Sequence, residues 1–169
     1  ERNLLALQSD VPVSPQAAED FASCVTEWFD VHDVTPLFLT GLAEEKDGVP
    51  ALYGIGSGAG GDLLADHDID PPSEAGMVSG PTGALISEAS QRDLDCAGLV
   101  VQANAKFPDP EAARVLLTQG VGPITGLEIE TDKLVEQAEE IADARERLAE
   151  QMQQADDDST RAQPVGMYQ

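Results

Sequence analysis

The chain has 169 residues and carries 32 Asp and Glu against 9 Lys and Arg, which gives a formal net charge of −23. This charge is unfavourable for binding nucleic acid or an anionic lipid surface, and no apolar run is long enough to span a bilayer. With 41% hydrophobic residues, the chain can bury one core. We expect one α/β domain at 1–154 and a flexible acidic tail at 155–169.

The N-terminal half of the sequence predicts a strand, then a helix, then two further strands. Residues 2–7 (RNLLAL) have the pattern of a short strand, and Ser14 followed by Pro15 predicts the start of a helix that extends to about Asp30. Continuous apolar runs at 35–42 and 51–55 predict two buried strands. The Gly- and Asp-rich stretch that follows, as far as Pro72, has no periodic segment and predicts a loop.

The C-terminal half repeats this alternation of strands and helices. Alternating elements of these lengths predict a mainly parallel sheet flanked by helices, with right-handed crossovers. The predicted elements are a helix at 81–92, a strand at 96–103, a helix at 109–119 and a long helix from Thr131 to Gln154.

The composition also suggests where the protein works. Acids outnumber bases more than threefold, and the lysines are only Lys46, Lys106 and Lys133, a balance that resembles proteins adapted to multimolar salt, so we expect the cytoplasm of a halophile. Cys24 and Cys96 fit buried thiols better than a disulfide or a metal site. Since the first residues already have a strand pattern, we expect the chain to begin inside a longer protein.

A glycine-rich segment and two histidines are the only candidates for chemistry. Residues 54–61 (GIGSGAGG) place Gly56, Gly58 and Gly61 at the spacing of a dinucleotide-binding loop, but the acids that follow repel phosphate, which favours a flexible surface loop. His32 and His67 lie among acids without the spacing of metal ligands or of a catalytic pair. We therefore expect no catalytic residues, no metal and no cofactor.

The long C-terminal helix carries an apolar stripe at alternating spacings of four and three. A stripe of this kind packs either on its own domain or on a neighbouring subunit, and the sequence leaves both open. Its members are Leu134, Ala138, Ile141, Leu148 and Met152.

The chain ends in an apolar and aromatic segment that follows a polar stretch. Met167, Tyr168 and Gln169 come last, and a chain terminus of this composition is suited to capture in a socket that takes its carboxylate and one or two side chains. A disordered tether would let it reach a distant partner. The alternative is an inert, frayed end.

Three segments resemble the proteasome assembly chaperone family, in its archaeal and haloarchaeal branch. They are residues 80–86 (GPTGALI), 107–113 (FPDPEAA) and 126–131 (GLEIET), within a similarity that covers about 50–142. The resemblance implies a nucleoside-phosphorylase-like α/β fold without its catalytic site, a homo-oligomer, and a C-terminal hydrophobic-Tyr-X motif that binds between α subunits of the proteasome core particle. Met167, Tyr168 and Gln169 are similar to that motif.

Three functions remain open from the sequence. The first is a non-enzymatic binder of the proteasome core that acts as an assembly chaperone, an activator or an adaptor. The second is a phosphorylase-like enzyme that binds a phosphate or a nucleoside at residues 54–61. The third is a scaffold whose long helix assembles with an unrelated partner.

Overall fold

The computed structural model describes residues 4–9, 11–44, 48–105 and 108–134, and, nearer the C-terminus, residues 136, 137, 140, 141, 144 and 147. The strands are β1 (Leu37–Ala43), β2 (Leu52–Ser57) and β3 (Cys96–Ala103). The helices are α1 (Ala18–Val31), α2 (Ala59–Ala65), α3 (Gly80–Gln91), α4 (Pro110–Val115) and α5 (Gly122–Thr125), with a π-helical turn at Leu116–Val121 between α4 and α5.

The three strands form one mixed sheet in the order β1-β3-β2. β1 runs parallel to β3, with Leu37 opposite Ala97, whereas β2 runs antiparallel to β3, with Ser57 opposite Cys96. The prediction of a mainly parallel sheet is therefore wrong for β2. A parallel return needs a crossover of a dozen or more residues, and the link between β1 and β2 is too short for one.

The first helix begins where the sequence predicts. The Ser14 hydroxyl accepts a hydrogen bond from the Ala17 amide at 3.3 Å, and Pro15 opens a short 3₁₀ turn that leads into α1. Residues 4–9 form no strand and are exposed, so the predicted strand at 2–7 is wrong for its described part, 4–7. Residues 1–3 lie outside the described part of the chain.

The core lies on both faces of β3, because consecutive residues of a strand point to opposite faces. Leu99 is fully buried on one face, where it packs with α2, α5 and the π-helical turn. Cys96 lies on the other face with Phe38 of β1 and Ala89 of α3. Since helices cover both faces, β3 is an almost continuous apolar run, as the sequence predicts.

Two helical segments differ from the prediction. The stretch after β2 contains the seven-residue helix α2 where the sequence predicts a loop. The helix predicted at 109–119 starts as expected, with the Asp109 carboxylate accepting from the Ala112 amide at 3.1 Å. It continues through the π-helical turn to Thr125, where Gly126 ends it in the left-handed conformation.

The C-terminal helix is described in part. Those residues between 132 and 147 that the structure describes are helical, and its predicted extension to Gln154 lies outside them. Within the described ranges, no helix combines the length and the apolar character needed to cross a membrane.

Candidate functional site

The glycine-rich segment 54–61 is an ordered strand–helix junction. Gly58 has a φ of +55° and forms the N-cap of α2 directly after β2. A Cβ atom on Gly60 would collide with the Cys96 carbonyl oxygen, and one on Gly56 would collide with the backbone of Gly61. These glycines allow the first turn of α2 to pack against β2 and β3, so the expectation of a flexible loop is wrong.

The geometry of this junction gives no support to a phosphate site. The Asp95 carboxylate accepts a hydrogen bond from the Ala59 amide at 2.7 Å and so lies where a phosphate would bind. The junction also lies beside Cys96, at the amino ends of β1 and β3. Ligands of α/β folds bind at the carboxyl ends of parallel strands.

Among the described residues, His32 and His67 are not part of a group that could bind a metal ion. The His32 ring stacks on Trp28 with 4.5 Å between centroids, and its Nδ1 is 2.8 Å from the Trp28 carbonyl oxygen. His67 belongs to the turn after α2. Within the described ranges, no group of three His, Cys, Asp or Glu residues could hold a metal ion.

The two cysteines occupy different environments. Cys96 is buried, as expected, whereas Cys24 is exposed on α1, so the expectation of a buried thiol is wrong there. Burial raises the pKa of the Cys96 thiol above its ordinary range, and the Asp95 charge adds to this, although a backbone hydrogen bond with Ser57 opposes it. Cys96 is therefore a packing residue that resists ionisation.

We predict that a thiol reagent labels the folded protein once. Cys24 is open to solvent, but Cys96 is buried and its raised pKa keeps the reactive thiolate scarce. Mass spectrometry after brief alkylation at pH 8 should show one adduct, located at Cys24, and two adducts after unfolding in denaturant. Equal labelling rates at both residues would contradict this assignment.

The structure describes two of the five residues of the predicted apolar stripe on the C-terminal helix. Leu134 and Ile141 are half-buried, and the Leu134 amide donates to the Thr131 carbonyl oxygen at 2.9 Å in the first turn of this helix. Ala138, Leu148 and Met152 lie outside the described residues. So does the predicted partner-binding segment of Met167, Tyr168 and Gln169.

The outer edge of β1 is a surface that the sequence did not single out. β1 is at the end of the sheet, and no described strand pairs with that edge. Its Leu39 and Leu42 are 45% and 39% exposed and belong to opposite faces. At the other end of the sheet, the Gly54 amide of β2 donates to the Asp70 carbonyl oxygen at 2.9 Å. Only strand order, which sequence patterns do not give, distinguishes these two edges.

The model of the PAC2 family matches residues 1–149. The chain belongs to the PAC2 family. None of the curated proteins matches this PAC2 chain.

Solved structures have a similar fold. Pyrococcus furiosus PbaA, described as an archaeal homolog of proteasome-assembly chaperone, is 22% identical with a TM-score of 0.75, covering 90% of this chain and 65% of that chain. P. furiosus PbaB, described as an archaeal proteasome activator, is 20% identical with a TM-score of 0.71, covering 83% and 62%. A Mycobacterium tuberculosis proteasome-assembly chaperone homologue is 18% identical with a TM-score of 0.56, covering 78% and 56%. This chain spans less than two thirds of each of them.

The family resemblance seen in the sequence is thus confirmed at the level of the PAC2 family and its fold. The segments that carried it have structural roles in this PAC2 chain. Residues 80–86 begin α3, where a Cβ atom on Gly83 would collide with the Val78 carbonyl oxygen. Asp109 caps α4, and Gly126 ends α5. The haloarchaeal branch and the hydrophobic-Tyr-X motif remain predictions.

Proposed function

We propose that this PAC2 protein is a non-enzymatic binder of the proteasome core particle that acts as an assembly chaperone, an activator or an adaptor. The observation that carries the proposal is the family match over residues 1–149. The descriptions of PbaA and PbaB, which share the fold, support the same partner. The Asp95 carboxylate at the start of α2 argues against the phosphorylase-like alternative.

In this proposal the C-terminal segment is the contact with the core particle. Tyr168 inserts its ring into a pocket of the α ring, Met167 fills an apolar groove, and the Gln169 carboxylate pairs with a lysine. Residues 156–169 would span about 46–50 Å fully extended and about 20 Å as a flexible coil. A tail of this length could reach a socket away from the domain that the sequence predicts at 1–154.

Removal of the last three residues tests this function. Purified proteasome core should co-sediment with the intact protein and lose most of that binding when residues 167–169 are deleted. A mutant ending in three alanines keeps the length and the terminal carboxylate, and so isolates the side chains. Equal binding by all three proteins would overturn the proposed tail contact, and no binding by any of them would overturn the proposed partner.

We propose further that the protein is a homo-oligomer held by the C-terminal stripe, because several tails on one particle multiply a weak single-site affinity. Leu134 and Ile141 are half-buried in the single chain, which leaves part of the stripe for a neighbour. Light scattering in high salt should give a multiple of the 17.8 kDa chain mass. The double substitution Leu134→Glu and Ile141→Glu should shift it toward the monomer, whereas Glu136→Gln on the exposed side should not. A monomeric wild type would contradict the proposal.

The acidic surface is consistent with the cytoplasm of a halophile. We predict that lowering the salt concentration destabilises the fold, because 32 carboxylates repel one another when the Debye length rises from about 3 Å at 1 M to about 10 Å at 0.1 M. Thermal unfolding followed by circular dichroism should give a Tm that rises from 0.1 M to 2 M KCl. The same Tm at both concentrations would refute this explanation of the composition.

A further inference from the structure

Helix α1 buries one side against α3 and leaves other positions open. Ala22 and Thr26 are buried on the side of α1 that packs on α3. The Ser23 hydroxyl beside them accepts a hydrogen bond from the Arg92 side chain of α3 at 2.9 Å. These contacts fix the rotation of α1 about its own axis, so the remaining residues of α1 can be placed around the helix.

A second apolar stripe lies away from α3. Phe21, Cys24, Trp28 and Val31 follow one another at spacings of three, four and three residues. At about 100° per residue they lie roughly 100–180° around the helix from the side that faces α3. Phe21 is half-buried, Cys24 is exposed, and Trp28 and Val31 are 42% and 73% exposed. This spacing is the a and d pattern of a helix that packs on another helix.

The stripe is free of charge on a molecule that is strongly acidic. The chain is 24% charged and has a formal charge of −23, whereas none of the four residues of the stripe is charged. Contiguous apolar surface of this kind marks a contact with another molecule, and an exposed indole is a frequent anchor of such contacts. Two copies of so acidic a chain can approach closely only through uncharged surface. The stripe provides that surface.

We propose that α1 packs in parallel on α1 of a second copy of this chain, with the stripe of Phe21, Cys24, Trp28 and Val31 as the seam. Such a pair has twofold symmetry, and each stripe contacts its own copy. The interface goes beyond the proposed function, because it involves neither the C-terminal segment nor the stripe on the C-terminal helix.

The side chains that border the seam select the parallel direction. With Trp28 at an a position, the g positions are Asp20 and Glu27 and the e positions are Val25 and His32. In an antiparallel pair g faces g, which sets acid against acid. In a parallel pair each g position faces an e position of the other helix, so Glu27 meets His32 and Asp20 meets Val25. The parallel pair therefore avoids every contact between like charges along this border.

His32 is already held in a position that suits this contact. Its ring stacks on Trp28 with 4.5 Å between centroids, and its Nδ1 is 2.8 Å from the Trp28 carbonyl oxygen. When the ring is protonated, Nε2 can donate to the Glu27 carboxylate of the second copy. Since α1 contains no Lys or Arg, His32 supplies the positive charge that an acidic helix needs to pair with itself.

Disulfide formation tests the seam in the full chain, in high salt that screens the repulsion between the two copies. Equal d positions face each other in a parallel pair, so mild oxidation should join Cys24 to Cys24 of the second copy. A non-reducing denaturing gel should then show twice the 17.8 kDa chain mass. In a Cys24→Ser background, Val31→Cys moves the thiol one heptad along the seam and should cross-link as well. Glu27→Cys in the same background is exposed but at g, and should not.

The pattern of cross-links distinguishes the outcomes. Seven residues span about 10.5 Å of helix, so in an antiparallel pair that crosses near Cys24 the two copies of Val31 would be about 21 Å apart. Cross-linking at position 24 alone would therefore overturn the parallel direction. No cross-link at 24 or 31, or equal cross-linking at 27, would overturn the interface. Leu134→Glu with Ile141→Glu should leave the Cys24 cross-link unchanged, which separates this interface from the proposed contact of the C-terminal helix.

The rate of Cys24 alkylation gives a second measurement, without oxidant. The thiol is open in a single molecule and covered in the pair, so its labelling should slow at least about threefold as the protein concentration rises from about 1 μM to about 1 mM. Trp28→Glu should remove this dependence, because it places two acids in the seam. Leu127→Glu changes a side chain that is 47% exposed outside α1 and should retain it. With equal folding by circular dichroism, a wild-type rate that ignores concentration, or the same result for both variants, would contradict the proposal.

Discussion

Replacement of Tyr168 by Ala is expected to weaken binding to the proteasome core by about 2 kcal/mol or more per tail, which is the loss seen when a buried aromatic anchor is truncated. In the proposed function this side chain supplies both the apolar contact of its ring and a hydrogen bond from its hydroxyl. Tyr168→Phe removes only the hydroxyl and should lose less. Several tails on one oligomer would multiply the loss, since each contributes to the same binding event.

The terminal carboxylate gives this prediction a second, independent test. One glycine added after Gln169 leaves every side chain in place but moves the carboxylate by one residue. If that charge pairs with a lysine in the pocket, the extended protein should also bind more weakly. Binding of wild type, Tyr168→Ala and the extended protein should be compared at one high salt concentration, with circular dichroism showing equal folding. Equal affinities would remove the tail from the mechanism.

The sequence predicts those elements whose local signals agree with their surroundings. Ser14 and Pro15 predict the start of the first helix because capping depends only on neighbouring residues. β3 (Cys96–Ala103) matches its prediction at both ends, since a strand covered on both faces must be apolar throughout. In these cases a local pattern and the buried environment specify the same structure.

Features that depend on partners distant in the chain are less accessible to sequence reasoning. β2 runs antiparallel to β3 because its link to β1 is too short for a crossover. The apolar run that predicts β2 carries no information about strand direction. α2 is only seven residues long, too short for a helical periodicity, and its glycines serve packing against Cys96 of β3. Whether Cys24 is exposed depends on which side of α1 contacts α3. Strand order alone determines that no described strand pairs with the outer edge of β1.

The candidate site also has some features that the sequence predicts and others that only the structure reveals. The family can be identified from segments such as 80–86 because tight glycine packing and helix caps leave a sequence pattern. The outer edge of β1 emerges only when strand order is known. The tail is suggested by composition and by the family resemblance, and its role stays a prediction that binding experiments decide.

The strongest effect on folding is expected at the junction between β2 and α2. Gly60→Ala adds one methyl group that must displace the Cys96 carbonyl oxygen, a backbone atom held in β3. Overpacking of this kind costs about 1–3 kcal/mol, and the upper end applies because no flexible side chain can yield. Gly61→Ala is the matched control, since its Cβ atom would meet nothing within 4 Å and alanine favours a helix over glycine by about 0.5–1 kcal/mol.

Two neighbouring glycines of α2 should thus respond in opposite directions to the same substitution. Urea unfolding in high salt should give a lower midpoint for Gly60→Ala than for the wild type, and an equal or higher one for Gly61→Ala, with unchanged m-values. Similar losses in both variants would indicate that α2 accepts an added methyl group at neither glycine, so that the contact of Gly60 with the Cys96 carbonyl oxygen is not the cause. If neither midpoint falls, the close packing of α2 against Cys96 is wrong, and the glycines at 54–61 need another explanation.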